Sequence, residues 1–208
     1  QQDPEGFLKR VDRYRKIAHS HGIRTMLVLF DGVWNPYPKA GPQPEPRPRT
    51  HNSGWVQSPG RAVLSDPKKQ DALKPYIVAV LSRFKEDPRV LAWDLFNEPE
   101  NTNVGVFGGG SEQPDLPRAE KERCAFKLLE KTFRWAREVN PSQPLTAGVW
   151  DKPEWIDNPS DLERFMLGHS DVISFHSYMG PEETRRMVVG LKKHNRPILC
   201  TEYMARSN

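Results

Sequence analysis

Two hydrophobic patterns alternate along this chain: apolar residues three or four positions apart, which predict amphipathic helices, and short continuous apolar runs, which predict strands buried on both faces. Residues 4–21 show the first pattern, with Asp3 placed to cap the helix, Pro4 suited to its first position and Gly22 able to end it. The apolar face of this predicted helix consists of Phe7, Leu8, Val11, Tyr14, Ile17 and Ala18.

Five apolar runs predict strands, at residues 25–30, 90–96, 144–150, 172–175 and 197–201. Helical patterns separate them: one ends near Phe84, one covers residues 119–138, a short one follows the capping box of Ser160 and Glu163, and one begins at Pro181. The helix at 119–138 has an apolar face made of Ala125, Leu128, Leu129, Thr132, Phe133 and Ala136. This alternation predicts an α/β protein with a parallel sheet and crossover helices.

Two architectures fit such an alternation, an open doubly wound sheet and a closed barrel. The chain has 208 residues, enough for one domain but fewer than the roughly 250 typical of an eight-stranded barrel. We therefore expect a single domain over residues 1–208 which, if it is a barrel, is incomplete and shows about five parallel strands. Such a partial barrel would expose unpaired edges at its first and last strands.

Residues 31–66 form a predicted long loop. Six prolines between positions 36 and 48 exclude regular structure there, so one interpretation is a solvated linker. The later part of the loop, with His51, Asn52 and Trp55, is richer in groups that could contact a ligand.

Charge and composition exclude several classes of function. The net charge is +4, but basic residues alternate with acidic ones, as in residues 118–123, which is typical of a solvated helix face and argues against nucleic-acid binding. No apolar run is long enough to span a membrane. Residues 1–5 lack a basic region leading into an apolar stretch, so we expect no signal peptide within this chain. Cys124 and Cys200 are predicted to be buried thiols.

Polar residues collect where each predicted strand ends, which is where parallel α/β proteins bind their ligands. They are Asp31, Trp34 and Asn35 after the first strand, Asn97 and Glu98 after the second, Trp150 and Asp151 after the third, His176 and Tyr178 after the fourth, and Glu202 and Tyr203 after the fifth. Two carboxylates on different strand ends suit hydrolysis of a glycosidic bond, in which one carboxyl group protonates the leaving oxygen and the other attacks the anomeric carbon.

Three segments, in this order, resemble the clan A glycoside hydrolases and especially the cellulase family, glycoside hydrolase family five. Residues 95–99, Leu-Phe-Asn-Glu-Pro, are similar to that family's segment carrying the acid/base. His176-Ser177-Tyr178 is similar to its His-x-Tyr segment, and residues 198–203 to its nucleophile segment. The resemblance implies a (β/α)8 barrel of the TIM type, of which this chain covers about five strands.

The resemblance also implies a role for each matching residue. Glu98 would be the acid/base, Glu202 the nucleophile that forms a glycosyl-enzyme intermediate, and Asn97 a ligand of the sugar 2-hydroxyl and of the nucleophile. Tyr178 would orient Glu202, and His176 would line the subsite beside the scissile bond. No metal or organic cofactor is implied. The Arg and the aromatic residue that the family carries on two further strands have no counterpart here.

The remaining substrate contacts are predicted from residue type. Trp34, Asn35, Trp55 and Trp150 lie after strands or in the long loop, and indole rings stack on the faces of sugars while Asn binds hydroxyl groups. The predicted partner is a β-linked glycan such as cellulose, xylan or mannan. Because polymeric glycans are met outside the cell, we expect a secreted or periplasmic location. The sequence leaves the oligomeric state open.

Three other functions are compatible with parts of the pattern. A barrel fragment could bind carbohydrate without cleaving it. A doubly wound nucleotide-binding enzyme is disfavoured because the glycines of residues 105–110 neither follow a strand directly nor precede a P-loop lysine. A metal site is disfavoured because no His pair has the spacing of metal ligands on a helix.

Overall fold

The computed structural model describes residues 3–42, 45–49, 52–102, 115–150 and 153–203. Its strands, in chain order, are β1 (Thr25–Val28), β2 (Val90–Asp94), β3 (Leu145–Thr146), β4 (Ile173–Ser177) and β5 (Ile198–Tyr203). Its helices are α1 (Pro4–Ser20), α2 (Arg61–Leu64), α3 (Pro67–Asp71), α4 (Lys74–Phe84), α5 (Arg118–Val139), α6 (Glu154–Asp157), α7 (Asp161–His169) and α8 (Pro181–Leu191), the last continued by a 3₁₀ turn, Lys192–His194.

The strands form one parallel arc. β1 pairs with β2 and β2 with β3, while β4 pairs with β5, all in parallel. Between β3 and β4 the backbone amide of Val149 donates to the carbonyl of Ser174 at 3.2 Å, and that of His176 donates to the carbonyl of Val149 at 3.0 Å. These bonds join the two sheets, so the five strands follow one another across space in the order of the chain.

The predicted helices are confirmed where the sequence carries capping signals. The side chain of Asp3 accepts a hydrogen bond from the amide of Gly6, and Pro4 opens α1. Ser160 and Glu163 form the expected capping box of α7. The whole predicted apolar face of α5 is buried against the sheet and α4.

The long loop folds back on the sheet. Asp31 pairs with Ser58, and Asn35 with Val56, through isolated backbone bridges, and Gln57 is fully buried. The linker interpretation is therefore wrong for the two ends of the loop, residues 31–36 and 55–60, whose backbone is hydrogen-bonded within the protein. Residues 38–42 and 45–49, in the proline-rich part, are exposed to solvent and have no regular structure. The prediction of a loop up to residue 66 is also wrong at α2, which forms directly after Gly60. His51 lies outside the described residues, as do residues 105–110 and Asp151.

Burial on both faces is confirmed for β3 and β4, but it is wrong for the first and last strands. Val28 in β1 is 48% exposed, and β5 is only partly buried along its length. Three residues of the predicted apolar face of α1 are also exposed, Phe7, Tyr14 and Ile17. Cys124 and Cys200 are half-buried free thiols. Val28 and β5 lie at the two ends of the arc, where the described strands have a neighbour on one side only.

Among the described residues, no helix combines the length and the apolar composition needed to cross a membrane.

Candidate active site

The candidate residues meet at the carboxyl ends of the strands. Asn97 and Glu98 follow β2, His176 and Tyr178 lie at the end of β4, and Glu202 lies in β5. The bond from the Glu98 amide to the carbonyl of Gly148, 3.0 Å long, fixes the turn after β2 to the segment after β3. Three separate stretches of sequence are thereby brought to one edge of the arc, as expected for parallel strands.

Glu98 is held rigidly in a strained turn. Its backbone has φ of +47°, a left-handed conformation uncommon for residues other than glycine. Its carboxylate is buried and both oxygens are engaged: Oε1 lies 2.5 Å from Nδ1 of His176, and Oε2 accepts from Nδ2 of Asn101 at 2.7 Å. Strain of this kind concentrates at functional sites, where the surrounding structure holds it in place.

His176 lies between the two candidate carboxylates. Its Nε2 is 3.4 Å from Oε1 of Glu202, an ion-pair distance without the alignment of a hydrogen bond. Burial alone would lower the pKa of His176, but the hydrogen bond and charge of Glu98, assisted by Glu202 and Asp94, outweigh burial and raise the pKa above its usual value. His176 therefore binds a proton more readily than an ordinary imidazole, and it lies directly between the two acids.

Glu202 is the more accessible carboxylate of the pair. Its side chain is 37% exposed, whereas that of Glu98 is 6% exposed. The hydroxyl of Tyr178 donates a short hydrogen bond to Oε2 of Glu202. Burial, followed by that hydrogen bond and the charge of Glu202, raises the pKa of Tyr178 above its ordinary value, so this hydroxyl keeps its proton and remains a donor.

The two carboxyl groups face one space. A carboxylate oxygen of Glu98, one of Glu202 and a ring nitrogen of His176 all lie within 4.8 Å of one another. Such a set of donors could also hold a cation, and among the described residues it is the group with that geometry. All three residues belong to the candidate carboxylate pair and its bridging histidine.

Two further carboxylates lie beneath this pair. Burial raises the pKa of Asp31 to about 6, with smaller contributions from the charges of Glu98 and Glu202, against a backbone bond from Val33 and a side-chain bond with Asn97. Burial also raises the pKa of Asp94 to about 7, although His176 and the amides of Gly148 and Phe96 oppose it. The site is therefore rich in acids whose charge depends on pH near neutrality.

The residues around Gly148 explain why this position carries no side chain. A Cβ atom there would lie 2.8 Å from Oδ1 of Asn97, 3.2 Å from Oδ2 of Asp94 and 3.4 Å from Nε2 of His176. Only a glycine lets these three polar groups converge under the site.

The aromatic residues predicted to contact substrate lie in two places. Trp34 and Trp55 form an edge-to-face pair, with ring centroids 5.8 Å apart, in the loop after β1. Trp55 is 59% exposed, and Trp34 has φ of +81°. Asn35 instead supports this loop, since its side chain accepts from the amide of Tyr37. Trp150 lies after β3, where its amide donates to the buried Glu100 at 2.5 Å.

Sequence reasoning missed Asn101, Asp94 and Glu100. The position of Asp94 inside an apolar strand was a usable signal, because a carboxylate there must be buried. Asn101 and Glu100 follow Pro99 directly, but nothing in their sequence context indicates which groups they contact.

Comparison with characterised sequences points to one group of enzymes. Mannan endo-1,4-beta-mannosidase A of Podospora anserina is 24% identical over an alignment of 213 residues that covers 96% of this chain and 51% of that protein. A probable mannan endo-1,4-beta-mannosidase A-2 of Aspergillus terreus is 32% identical over 149 residues, 70% of this chain and 30% of that protein. The chain thus spans about half or less of these relatives, and no family model matches it.

Solved structures share the fold. A β-1,4-mannanase of the sea hare Aplysia kurodai superposes with a TM-score of 0.56 at 14% identity, covering 96% of this chain and 68% of that one. A β-mannanase of the mussel Mytilus edulis gives 0.53 at 16% identity, covering 84% of this chain and 51% of that one. At such identities the likeness shows the fold alone. The relatives in sequence confirm the resemblance that the three segments predicted.

Proposed function

The chain is a relative of the clan A glycoside hydrolases, and on that basis we propose that it is the catalytic part of a retaining β-glycanase whose substrate is a β-1,4-linked mannan. The substrate class is supported by the names of the relatives, which are mannan endo-1,4-beta-mannosidases. The mechanism is supported by the carboxylate pair.

The spacing of Glu98 and Glu202 is the observation that carries this proposal. Retaining glycosidases place their carboxyl groups about 5–5.5 Å apart, whereas inverting enzymes need about 6.5–9.5 Å to admit a water molecule. Oxygens of Glu98 and Glu202 approach within 4.8 Å, which is closer than the separation of inverting enzymes and supports the retaining arrangement. A double displacement with a covalent intermediate fits this distance.

The surroundings of each carboxylate suit different roles. Glu202 receives the Tyr178 hydroxyl bond and is accessible, so it can attack the anomeric carbon as an ionised nucleophile. Glu98 is buried beside His176 and Asn101, so it is positioned to give a proton to the leaving oxygen and later to activate water. Asn97, directly before Glu98 in the same turn, is proposed to bind the 2-hydroxyl of the sugar. Trp34, Asn35, Trp55 and Trp150 are proposed to line the cleft.

The position of His176 suggests a wider role than the one the family resemblance implies for it. Instead of only lining a subsite, its ring spans the space from Glu98 to Glu202. A protonated imidazole there offsets the repulsion between two carboxylates at close range. We propose that His176 positions both carboxylates, through its contact with Oε1 of Glu98 at 2.5 Å and its Nε2 atom 3.4 Å from Oε1 of Glu202.

The architecture proposed for the single domain over residues 1–208 is an arc of a (β/α)8 barrel. Support comes from the five parallel strands in sequential order and from the apolar surface exposed at both ends of the arc. A chain that covers 68% of a solved mannanase would lack part of such a barrel. Secretion is proposed from the polymeric substrate.

Activity on a panel of mannan, glucomannan, xylan and cellulose, with the Glu98→Gln and Glu202→Gln variants beside the unmodified protein, tests the function. We expect mannan cleavage by the unmodified protein and a loss of about 10²–10⁴-fold in kcat in either variant. Glu182→Gln, in the exposed first turn of α8, is the matched control and should retain activity.

Binding of mannan without cleavage, measured by calorimetry on the unmodified protein, would favour a non-catalytic carbohydrate-binding fragment. Full activity in Glu202→Gln would contradict the proposed mechanism whatever the substrate.

A further inference from the structure

A lysine is fully buried directly beneath the turn that carries Asn97 and Glu98. Lys121 lies in the first turns of α5, and its side chain has no exposure to solvent. Its ammonium donates to the carbonyl of Gly32 at 2.5 Å, to Oε1 of Gln57 at 3.2 Å and to Oδ2 of Asp115 at 2.5 Å. Three acceptors use the three N–H donors of an ammonium group.

These acceptors come from separate segments. Gly32 follows β1, Gln57 lies in the long loop that returns to Asp31, and Asp115 precedes α5. Asp115 is almost as buried as Lys121, with 3% of its side chain exposed. The bonds from Lys121 to Gly32 and Gln57 therefore join the start of α5 to the loop after β1, and the buried pair with Asp115 neutralises the ammonium.

Gly32 connects Lys121 to the candidate site. Its amide donates to the carbonyl of Asn97 at 2.8 Å, and a Cβ atom on Gly32 would lie only 2.0 Å from the carbonyl oxygen of Glu98. The carbonyl of the same Gly32 is held by Lys121. One peptide segment thus connects the buried ammonium to the strained turn of Glu98.

We propose that Lys121, with Asp115, is a positioning residue that holds the Asn97–Glu98 turn in its productive geometry through Gly32. This inference rests on the proposed function, in which Glu98 is the acid/base. The turn has an unfavourable backbone conformation, so it requires outside contacts to persist, and Lys121 supplies one that reaches it through a single residue.

The test replaces both members of the ion pair, because removing one alone would leave an uncompensated buried charge and unfold the protein for that reason. The double variant Lys121→Met with Asp115→Asn is compared with Lys131→Met with Asp71→Asn. Lys131 is a matched control: it lies in the same helix, donates to the carbonyl of Pro67 and pairs with Asp71 at 2.7 Å, away from the candidate site.

Two readouts are measured on folded protein. We expect the Lys121–Asp115 double variant to lose at least about tenfold in kcat on mannan with KM within about twofold, since transition-state geometry depends on placement at the ångström scale. We also expect at least tenfold faster amide hydrogen exchange at Gly32, with the Leu95 amide, bonded to Thr146, unchanged. The control double variant should match the unmodified protein in both.

Amide hydrogen exchange is measured without a substrate, so it distinguishes the proposed positioning role of Lys121 from the proposed glycanase function. If the unmodified protein cleaves no glycan but Gly32 exchanges faster in the Lys121–Asp115 variant, the proposed function fails while the anchoring of the turn is supported. Unchanged exchange and unchanged kcat would overturn the positioning role. Should that variant not fold, Lys121→Gln with Asp115→Asn gives the same comparison. If neither double variant folds, Lys121 is required for folding and not specifically for the position of the turn, which would also overturn the proposal.

Discussion

At the level of single residues, sequence order identified the principal candidates. Glu98, His176, Tyr178 and Glu202 each end an apolar run, and the structure brings all four together. The groups that hold Glu98 in place could not be predicted in the same way. Asn101 becomes its hydrogen-bond partner only through the turn after Glu98, and Lys121 only through the packing of α5 beneath Gly32.

Tyr178→Phe tests the orientation of Glu202. The variant keeps the ring and removes the hydroxyl that donates to the carboxylate, a bond to a charged group worth about 1.5–3 kcal/mol. We expect kcat on mannan to fall roughly 10- to 100-fold with little change in KM, measured by steady-state kinetics. Tyr203→Phe is the control, because Tyr203 is next to Glu202 in the chain and its side chain is exposed. An equal loss of kcat in that variant would contradict a specific role for Tyr178.

Asp94→Asn tests the buried carboxylate under the site. Because burial raises the pKa of Asp94 from 3.8 to about 7, the folded state binds this proton more tightly than the unfolded chain does. Its ionisation therefore lowers the free energy of unfolding as the pH rises from about 4 to about 7. Asn cannot ionise, so the variant should lose less stability over that window, measured by urea unfolding at several pH values. Equal pH profiles for the variant and the unmodified protein would contradict this account.

At the level of elements, local signals predicted helices better than strands. The caps of α1 and α7 and the buried face of α5 were readable because they depend on neighbouring residues in the chain. The run at 144–150 predicted a full strand, yet β3 contains two residues. After Thr146 the chain continues past Gly148, where side chains of the site converge, and resumes pairing only at the Val149 bridge.

Ser160→Ala tests the capping box of α7. Removing the hydroxyl leaves the amide of Glu163 without its partner at the helix terminus. We expect a loss of about 1 kcal/mol in the free energy of unfolding. Ser160→Thr retains a capping hydroxyl and should lose only a small part of this, so similar losses in both variants would show that the cap is not responsible.

At the level of the whole molecule, the ends of the arc differ from its middle. Strands β3 and β4 are buried along their length and β2 is buried except at Leu91, whereas Val28 in β1 and Tyr203 in β5 are exposed at the two edges. The sequence predicted this asymmetry only through the count of strands, because the apolar runs of edge and central strands look alike. Exposed edges of a parallel arc are available for pairing with other chains.

Replacing exposed apolar residues of α1 and β1 tests this description. The double variant Ile17→Lys with Val28→Lys should reduce self-association of the chain, measured by sedimentation at several concentrations, because charge at a strand edge opposes pairing. Glu130→Lys adds the same net charge on the exposed side of α5 and serves as the control. If the control reduces association equally, net charge and not the edge is the cause.

The central claim is that Glu98 and Glu202 act as a retaining pair, and covalent trapping tests it most directly. An activated 2-deoxy-2-fluoro-β-mannoside slows breakdown of the glycosyl-enzyme, so the intermediate can be located by peptide mass spectrometry. The account predicts one label, on Glu202, that still forms in Glu98→Gln because an activated leaving group departs without a proton, but is released more slowly there because no base activates water. A label on any other residue, or mannan cleavage that inverts the anomeric centre, would contradict it.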